Sequence, residues 1–333
     1  MDVVRSVRTA LCRFKFFGDS DLDMTTLKAV WSMLVQRKLK NDVKGHLFIS
    51  PVILGILIWT LVPMLLSLYY SFTQYDILSP PKFIGLGNYV TLFHDPSFLS
   101  AIQVTIIYAV VAVPVGIIAG FFLAVLLNQS VPGIRIFRTI FYLPAIVPVV
   151  AGTELWSDMF SPSKFGVVNT ILMDLHIISH PFPFFAEPST ALFSLIVMGL
   201  WSSGGGMLIW LAGLKSVPTQ LYEAASIDGA GGWIRFSRIT IPLVTPTIFF
   251  NLIMGMIGAM QMFTQSFVLG GVDGNPLGSL DFINVFVYRH AFSYFEMGEA
   301  SAAAWVLFFF TLILTLILFT TSRGWVFYEG RQN

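Results

Sequence analysis

Charged residues are scarce in this chain of 333 amino acids. Asp, Glu, Lys and Arg together make up 11% of it, whereas an average soluble domain contains about 25%. Apolar residues make up 56% and include 32 phenylalanines. Because so few charges cannot cover a water-exposed surface, the composition excludes an ordinary soluble domain. It is typical of a protein that crosses a membrane several times.

Cysteine is almost absent as well, since Cys12 is the only one. A single cysteine excludes a disulfide within the chain and makes no metal site by itself. The histidines are scattered, mostly between apolar segments, and no pair combines metal-ligand spacing with a carboxylate. They are His46, His94, His176, His180 and His290. The sequence therefore predicts no metal site, no bound cofactor and no catalytic residues.

The phosphate-binding loop of many ATPases is also missing. Its pattern, GxxxxGK[ST], places backbone amides and a lysine around the phosphates of ATP, and no stretch of this chain has that spacing. We therefore expect that the chain is not an enzyme and does not hydrolyse ATP through this chemistry. A process driven by ATP would need a separate ATPase subunit.

Long apolar runs are what the chain has instead. A helix needs roughly 20 apolar residues to cross a membrane. Six segments qualify: 47–72, 101–127, 136–160, 190–213, 240–267 and 302–321. The third and the fifth are interrupted by proline and polar residues. Since barrel strands would instead alternate with a period of two, the runs predict an all-α integral membrane protein with about six transmembrane helices.

The cations are unevenly distributed between the two sides of these helices. All but three of the 19 Lys and Arg residues lie in the N-terminal segment, in the loops after the second and fourth spans, or after the sixth span. The positive-inside rule then places both termini in the cytoplasm. Residues 1–45 form a basic tail that we expect to lie along anionic lipid, and residues 46–330 form the transmembrane domain.

One connecting segment has an unusual composition for a loop between spans. It is LYEAASIDGAGGWIRFSRITIPL, residues 221–243, and the predicted topology places it in the cytoplasm. Pro218 suits the first turn of a helix, and Gly229 stands where a left-handed residue would end that helix. A second helical stretch starts at Trp233 and places Arg235 and Arg238 on one face, within reach of lipid headgroups or an acidic partner. The segment thus predicts a compact helix–turn–helix that a partner protein could grip.

The same residues resemble a family motif. Glu223-Ala224-Ala225, three residues, Gly229, nine residues and Ile239-Thr240-Ile241-Pro242 resemble the EAA loop, EAA-x3-G-x9-I-x-L-P, of binding-protein-dependent ABC importer permeases. The only departure is Ile241 in place of Leu. Segments 80–108, 137–169 and 295–310 resemble the carbohydrate branch of that family, which contains the maltose and glycerol-phosphate permeases. The resemblance covers about residues 45–330.

This resemblance implies a type I ABC importer permease fold in a bacterial or archaeal cell membrane. It implies a second permease subunit, identical or homologous, and two cytoplasmic ATPase subunits that use the ATP. It also implies an extracytoplasmic binding protein that delivers the sugar, and no nucleic acid. The coupling region would be residues 216–242, with contact to the ATPase through 221–242. The residues that the resemblance assigns to ATPase coupling are Glu223, Ala224, Ala225, Asp228, Gly229, Arg235, Arg238 and Pro242.

Polar residues inside the spans indicate a substrate path, because they are costly in lipid and usually face a cavity or a partner helix. The candidates are Ser202, Ser203 and Trp210 in the fourth span and Asn251, Gln261 and Gln265 in the fifth. Amides beside aromatic faces suit a neutral, hydroxyl-rich ligand, and the absence of a central Lys or Arg fits a neutral sugar better than a phosphorylated one. The alternative is that Ser serves close helix packing and Trp marks the membrane interface.

Other functions stay open at this point. A secondary transporter would usually show internal repeats and paired charges at mid-membrane, which this sequence does not show. A membrane-embedded enzyme would need a His, Asp and Glu or a Ser and Lys constellation at a span end. A permease for amino acids or peptides remains an alternative, since the EAA loop is shared across the branches of the family.

Overall fold

The computed structural model describes residues 45–163 and 166–327. By its internal contacts the chain divides into two units, residues 1–66 and residues 67–333. The predicted basic tail, apart from Gly45, lies outside the described residues. In the first unit, residues 45–66 belong to helix α1, Gly45–Ser71, and each of them is at least partly exposed. Such an apolar, exposed helix is stable only in a solvent like lipid.

The second unit begins with a short two-stranded sheet. Strands β1, Thr73–Gln74, and β2, Lys82–Phe83, pair antiparallel with Thr73 opposite Phe83. The helices that follow are α2 Gly87–His94, α3 Pro96–Leu127, α4 Ile134–Tyr142, α5 Val149–Met159, α6 Val167–Asp174, α7 Pro188–Trp201, α8 Met207–Lys215, α9 Thr219–Ile227, α10 Gly232–Arg235, α11 Ile241–Met260, α12 Thr264–Gly270, α13 Ile283–Tyr288 and α14 Met297–Ser322.

Short 3-10 and π turns extend several of these helices. A 3-10 turn follows α4, another joins α7 to α8, and a third follows α12; a π turn joins α10 to α11, and another follows α13. In the same order, their bounds are Leu143–Ile146, Ser202–Gly206, Gly271–Asp273, Phe236–Thr240 and Arg289–Ser293. These turns let single spans bend without exposing many unpaired backbone groups.

The all-α prediction is confirmed, and five of the predicted spans are present among the described residues as helical segments long enough to cross a membrane, although the fifth is interrupted at residues 261–263. They are Gly45–Ser71, Pro96–Leu127, Pro188–Lys215, Gly232–Asp273 and Met297–Ser322. The third span, predicted over 136–160 with an interruption by proline, is broken into two helical pieces. Residues Ile134–Ile146 and Val149–Met159 meet at 99°. The cause is local: Val147 is extended because it precedes Pro148.

Helix α4 is tied to the end of α3 by one arginine. Arg138 donates from Nε and Nη2 to the carbonyl of Leu127, at 3.0 and 2.7 Å. Leu127 is the last residue of α3, where carbonyls have no partner within the helix. A cation at this end also opposes the negative end of the helix dipole. Arg138, counted above only as a topology signal, therefore also caps a span.

Helix α3 is central to the packing and contacts α7, α8, α11 and α13. One buried cluster lies around its first half, with Phe98, Leu195 and Phe286 among its members. A second lies around its last turns, with Phe121 and Trp210. Helices α8 and α11 also touch, and a side chain at Gly213 would overlap Thr247. These contacts hold four helices around the space described below.

Candidate coupling and permeation sites

Residues 218–242, here called the coupling segment, form the predicted helix–turn–helix. Every residue of α9 is at least partly exposed. The helix ends at Gly229, whose φ is +76°. The Ala230 N–H donates to the Ala225 carbonyl at 2.8 Å and the Gly229 N–H to the Ser226 carbonyl at 3.2 Å. This bonding pattern requires a left-handed residue at position 229, so the predicted helix end is confirmed.

Two side-chain hydrogen bonds hold α9 against the residues that lead into α11. The hydroxyls of Tyr222 and Thr240 lie 2.8 Å apart. Arg235 Nη1 donates to Ser226 Oγ at 2.8 Å. Arg235 therefore binds within the segment, while Arg238, predicted to share its outward role, is exposed. Because α10, the π turn and α11 are one helical run, α9 is fastened to a long transmembrane element.

The other residues assigned to coupling lie on the surface of this segment. Glu223, Ala224, Asp228 and Gly229 are exposed, whereas Ala225 and Pro242 are half-buried. Sequence reasoning missed the large apolar side chains beside them, Ile227 at 88% exposure and Trp233 at 75%. A contiguous exposed apolar patch marks an interaction surface. Their signal in the sequence was two large apolar residues flanking a turn of small and polar ones.

A cavity of about 430 Å³ lies between α3, the α7–α8 turn and α11. It brings together four of the residues predicted to line a substrate path, Ser202, Ser203, Trp210 and Asn251. The rest of its wall consists of Tyr108, Ala112, Val113, Gly116, Ile117, Gly206, Met254, Gly255, Gly258, Ala259 and Met262. All of these side chains are uncharged. The wall therefore offers hydroxyls, an amide and aromatic rings within an apolar surface.

Local structure explains why these groups meet. The 3-10 turn Ser202–Gly206 interrupts the fourth span beside α3. The Trp210 indole fits against α3 only because residue 120 is glycine, since a Cβ there would lie 2.9 Å from indole Nε1. Asn251 Nδ2 donates to the Thr247 carbonyl at 2.8 Å. That bond fixes the amide plane, so the geometry of the wall is set by helix packing.

A second cavity of similar volume shares Tyr108 and Ser202 with the first and is lined by Gln265, another predicted residue. Trp156 lines it too, and its buried Nε1 has no hydrogen-bond partner within the described residues. A buried donor without a partner is costly unless a ligand or water accepts from it. Tyr108 and Trp156 were missed because each stands in an apolar run with no pattern to mark it.

Gln261 was predicted to join this set, and the structure places it elsewhere. It is exposed at the break between α11 and α12. Its N–H donates to the Ile257 and Gly258 carbonyls, at 3.1 and 3.2 Å. The helix ends there, so the side chain no longer follows the face that carries Asn251. A continuous fifth span would have kept the two on related faces.

The loop 269–301 carries a charged cavity, lined on its own side by Asp273, Asp281, Arg289 and His290 and on the other by Asp95 at the start of α3. Arg289 Nη2 and Asp281 Oδ2 form a buried ion pair at 2.7 Å. Burial raises the pKa of Asp281, although Arg289 opposes the shift. Burial likewise lowers the pKa of His290, opposed by the carboxylate of Glu296.

Comparison with known proteins decides the family. Residues 84–326 match the family described as binding-protein-dependent transport system inner membrane component. The chain belongs to this family. It is 41% identical over 296 residues to a probable ABC transporter permease protein, YesP, of Bacillus subtilis (strain 168), covering 88% of this chain and 95% of the relative. It is 34% identical over 288 residues to the lactose transport system permease protein LacF of Rhizobium radiobacter, covering 85% and 95%.

A solved structure supports the same family assignment. The crystal structure of a bacterial ABC transporter involved in the import of the acidic polysaccharide alginate contains a chain that is similar with a TM-score of 0.76 and 26% identity, over 87% of this chain and 98% of that one. A second structure shows that transporter in complex with an alginate pentasaccharide-bound periplasmic protein. The protein is thus a multi-pass inner-membrane permease, the transport subunit of an ABC transporter that works with a binding protein. The family favours an ABC importer over a secondary transporter; the cytoplasmic position of both termini stays a prediction.

Proposed function

We propose that this permease imports a carbohydrate, and that its coupling segment receives the motion of separate ATPase subunits. The observation that carries the proposal is the construction of the segment. It presents Glu223, Asp228 and the apolar side chains of Ile227 and Trp233 to solvent. At the same time it is bonded to the helical run that forms one wall of the cavity.

This construction provides a mechanical path. A push on α9 reaches Thr240 through the hydroxyl of Tyr222. Thr240 lies in the run Gly232–Asp273, which carries Asn251 on the cavity wall. Because a helix transmits displacement along its axis with little bending, movement outside the membrane changes the shape of the cavity. A two-state element that both sites contact is the physical requirement for coupling.

The partners follow from this role. A second permease subunit would complete the path across the membrane, and two cytoplasmic ATPase subunits would bind and hydrolyse the ATP. An extracytoplasmic binding protein would release the sugar into the outward-facing cavity. Closure of the ATPase pair on ATP would push both coupling segments and open the cavity outward. Hydrolysis and release would return it to the inward-facing form.

The cavity wall supports a neutral sugar as the substrate class. All of its side chains are uncharged, and it combines hydroxyls and an amide with the aromatic side chains of Tyr108 and Trp210. Hydroxyl groups of a sugar can donate to and accept from such groups, and the apolar face of a sugar ring packs on aromatic side chains. A relative of this chain is named for lactose transport. A permease for acidic saccharides would need cations to balance the carboxylates.

The test uses the complete complex in lipid nanodiscs, with its ATPase and binding protein. Gly229→Val should insert normally but lose most of the sugar-stimulated ATPase activity, because a left-handed backbone costs a non-glycine residue about 1–2 kcal/mol. Gly231→Val is the matched control: a Cβ at either position meets open space, but Gly231 has φ −65°. Equal activity of the two variants would contradict the coupling role. Stimulation by acidic oligosaccharides but not neutral ones would contradict the substrate class alone.

A further inference from the structure

Three potential metal ligands converge where the loop 269–301 joins the last span. His290 Nδ1 lies 2.8 Å from Glu296 Oε2 and 3.7 Å from Glu299 Oε2. All three ligand atoms lie within 4.8 Å of one another. The imidazole comes from the π turn after α13, and the carboxylates come from the residue before α14 and from its first turn. The cluster thus bridges two helical elements.

The imidazole is held in one orientation. His290 is 7% exposed and stacks on Phe286, with ring centroids 4.0 Å apart. Tyr294 meets the same ring edge-on at 5.2 Å. The Glu296 N–H donates to the His290 carbonyl at 2.8 Å, which closes the turn between them. A ligand fixed in this way loses little entropy when it binds a cation.

The charge of the cluster is not balanced within the described residues. Two carboxylates share one imidazole, and the neighbouring Arg289 is committed to Asp281 and to the Val272 carbonyl at 3.0 Å. A second observation concerns the cavity that His290 also lines. There the Oδ1 of Asp281, a residue that is 4% exposed, is buried without a hydrogen-bond partner in the described part of the chain. Two carboxylates around one imidazole, with an unpaired buried carboxylate oxygen in the adjoining cavity, offer acceptor oxygens to a cation.

We propose that His290, Glu296 and Glu299 bind a divalent transition-metal ion of the zinc type. Zinc bonds to imidazole and carboxylate are about 2.0–2.2 Å, which places tetrahedral ligands about 3.3 Å apart. The measured separations of 2.8 and 3.7 Å bracket this value. The ring would carry its proton on Nε2, and the fourth position would face water beside Glu296, which is half-exposed. The ion would fasten the end of α13 to the start of α14.

The sequence hid this site because its ligands do not have helical spacing. His290 and Glu296 are six residues apart, and the chain reverses between them at Phe295, whose φ is +61°. Of the three proposed ligands, only Glu296 and Glu299 have the spacing of three or four residues that marks one face of a helix. The turn that brings the imidazole to them depends on the buried ring of Phe286 and on the contact between His290 and Tyr294. It is a tertiary feature.

Zinc binding by the purified permease, with any affinity tag removed, tests the proposal. Titration calorimetry with zinc chloride should show one ion per chain. His290→Ala should weaken binding by about tenfold or more, since even an outer-shell partner is worth about 10–100-fold, and Glu299→Gln should weaken it less. His180→Ala and Glu187→Gln are the matched controls, because both residues are exposed in the loop before α7, and they should bind zinc like wild type.

Unchanged affinity in His290→Ala would overturn the proposal, as would displacement of zinc by equimolar magnesium, which prefers oxygen-only sites. A second measurement uses only the wild-type protein, so that misfolding of a variant cannot affect the result. Cobalt in place of zinc should give the intense visible absorption of a four-coordinate site with a nitrogen ligand. The weak absorption bands of six-coordinate cobalt would contradict the proposal, and this result needs no variant. These readouts need neither transport nor ATPase, so they are independent of the proposed function.

Discussion

The coupling segment and the loop 269–301 differ in which of their charged and apolar side chains are exposed to solvent. In the coupling segment Ile227 is 88% exposed and Glu223 stands free on the surface. In the loop 269–301 the charges of Asp281 and Arg289 are paired and buried, and Phe286 is fully covered. The first segment leaves charged and apolar side chains on its surface, whereas the second buries and pairs the charges of Asp281 and Arg289.

The largest expected effect is a difference in the free energy of unfolding between a variant in the loop 269–301 and a variant in the coupling segment. Asp281→Ala leaves Arg289 buried without its partner, and breaking a buried pair in this way costs about 3–5 kcal/mol. Glu223→Ala removes the same kind of charge from the exposed α9, where surface changes stay within about 0.5 kcal/mol. Thermal unfolding in detergent measures both.

A double variant, Asp281→Leu with Arg289→Met, controls for lost packing in that experiment. Replacement of a buried pair by apolar residues is often neutral, so the double variant should recover most of the stability. If Asp281→Ala were as stable as wild type, the loop would not depend on its internal pairing. The contrast between the regions would then fail.

The sequence sufficed for the coupling segment because its structure is local. The bonds that end α9 at Gly229 join residues three and five positions apart, so the pattern of residues determines them directly. The cavity required more. Ser202 and Asn251 meet because two spans cross beside α3, which polar residues inside apolar runs can suggest but not prove. Gln261 was misplaced because the break after Met260 turns it out of line.

The remaining misses share a physical cause. Pro148 was visible in the sequence, but a proline in a span can either kink a helix or end it, and only packing decides which. Ile227 is exposed because no other part of the described chain packs against it. His290 meets Glu296 and Glu299 through a reversal of the chain. Each of these features is set by contacts that no local pattern encodes.

An intermediate effect is expected on ATPase binding when an exposed apolar side chain is replaced in each of the two regions. Ile227→Asp should weaken ATPase association by about tenfold, because an apolar contact at an interface centre is worth more than about 1 kcal/mol. Leu277→Asp is the control, since Leu277 is 90% exposed but belongs to the loop 269–301. Both variants should unfold like wild type when the permease is studied alone. Pull-down of the ATPase at graded concentrations measures the difference, and equal loss in both variants would deny the coupling segment its special role.

The smallest expected effect concerns one hydrogen bond in the coupling segment and a matched one outside both regions. Tyr222→Phe removes the bond to Thr240, and Tyr89→Phe removes the bond from Tyr89 to Ser71; both are 2.8 Å long in the structure. Each loss should cost about 0.5–1.5 kcal/mol of stability, so the two variants should unfold alike. Only Tyr222→Phe should lower the sugar imported per ATP hydrolysed, because of these two bonds only Tyr222–Thr240 joins α9 to the run that lines the cavity. An equal import ratio in the two variants would mean that the push travels along the backbone of the Gly229 turn instead, and that the hydroxyl pair merely holds the segment in place.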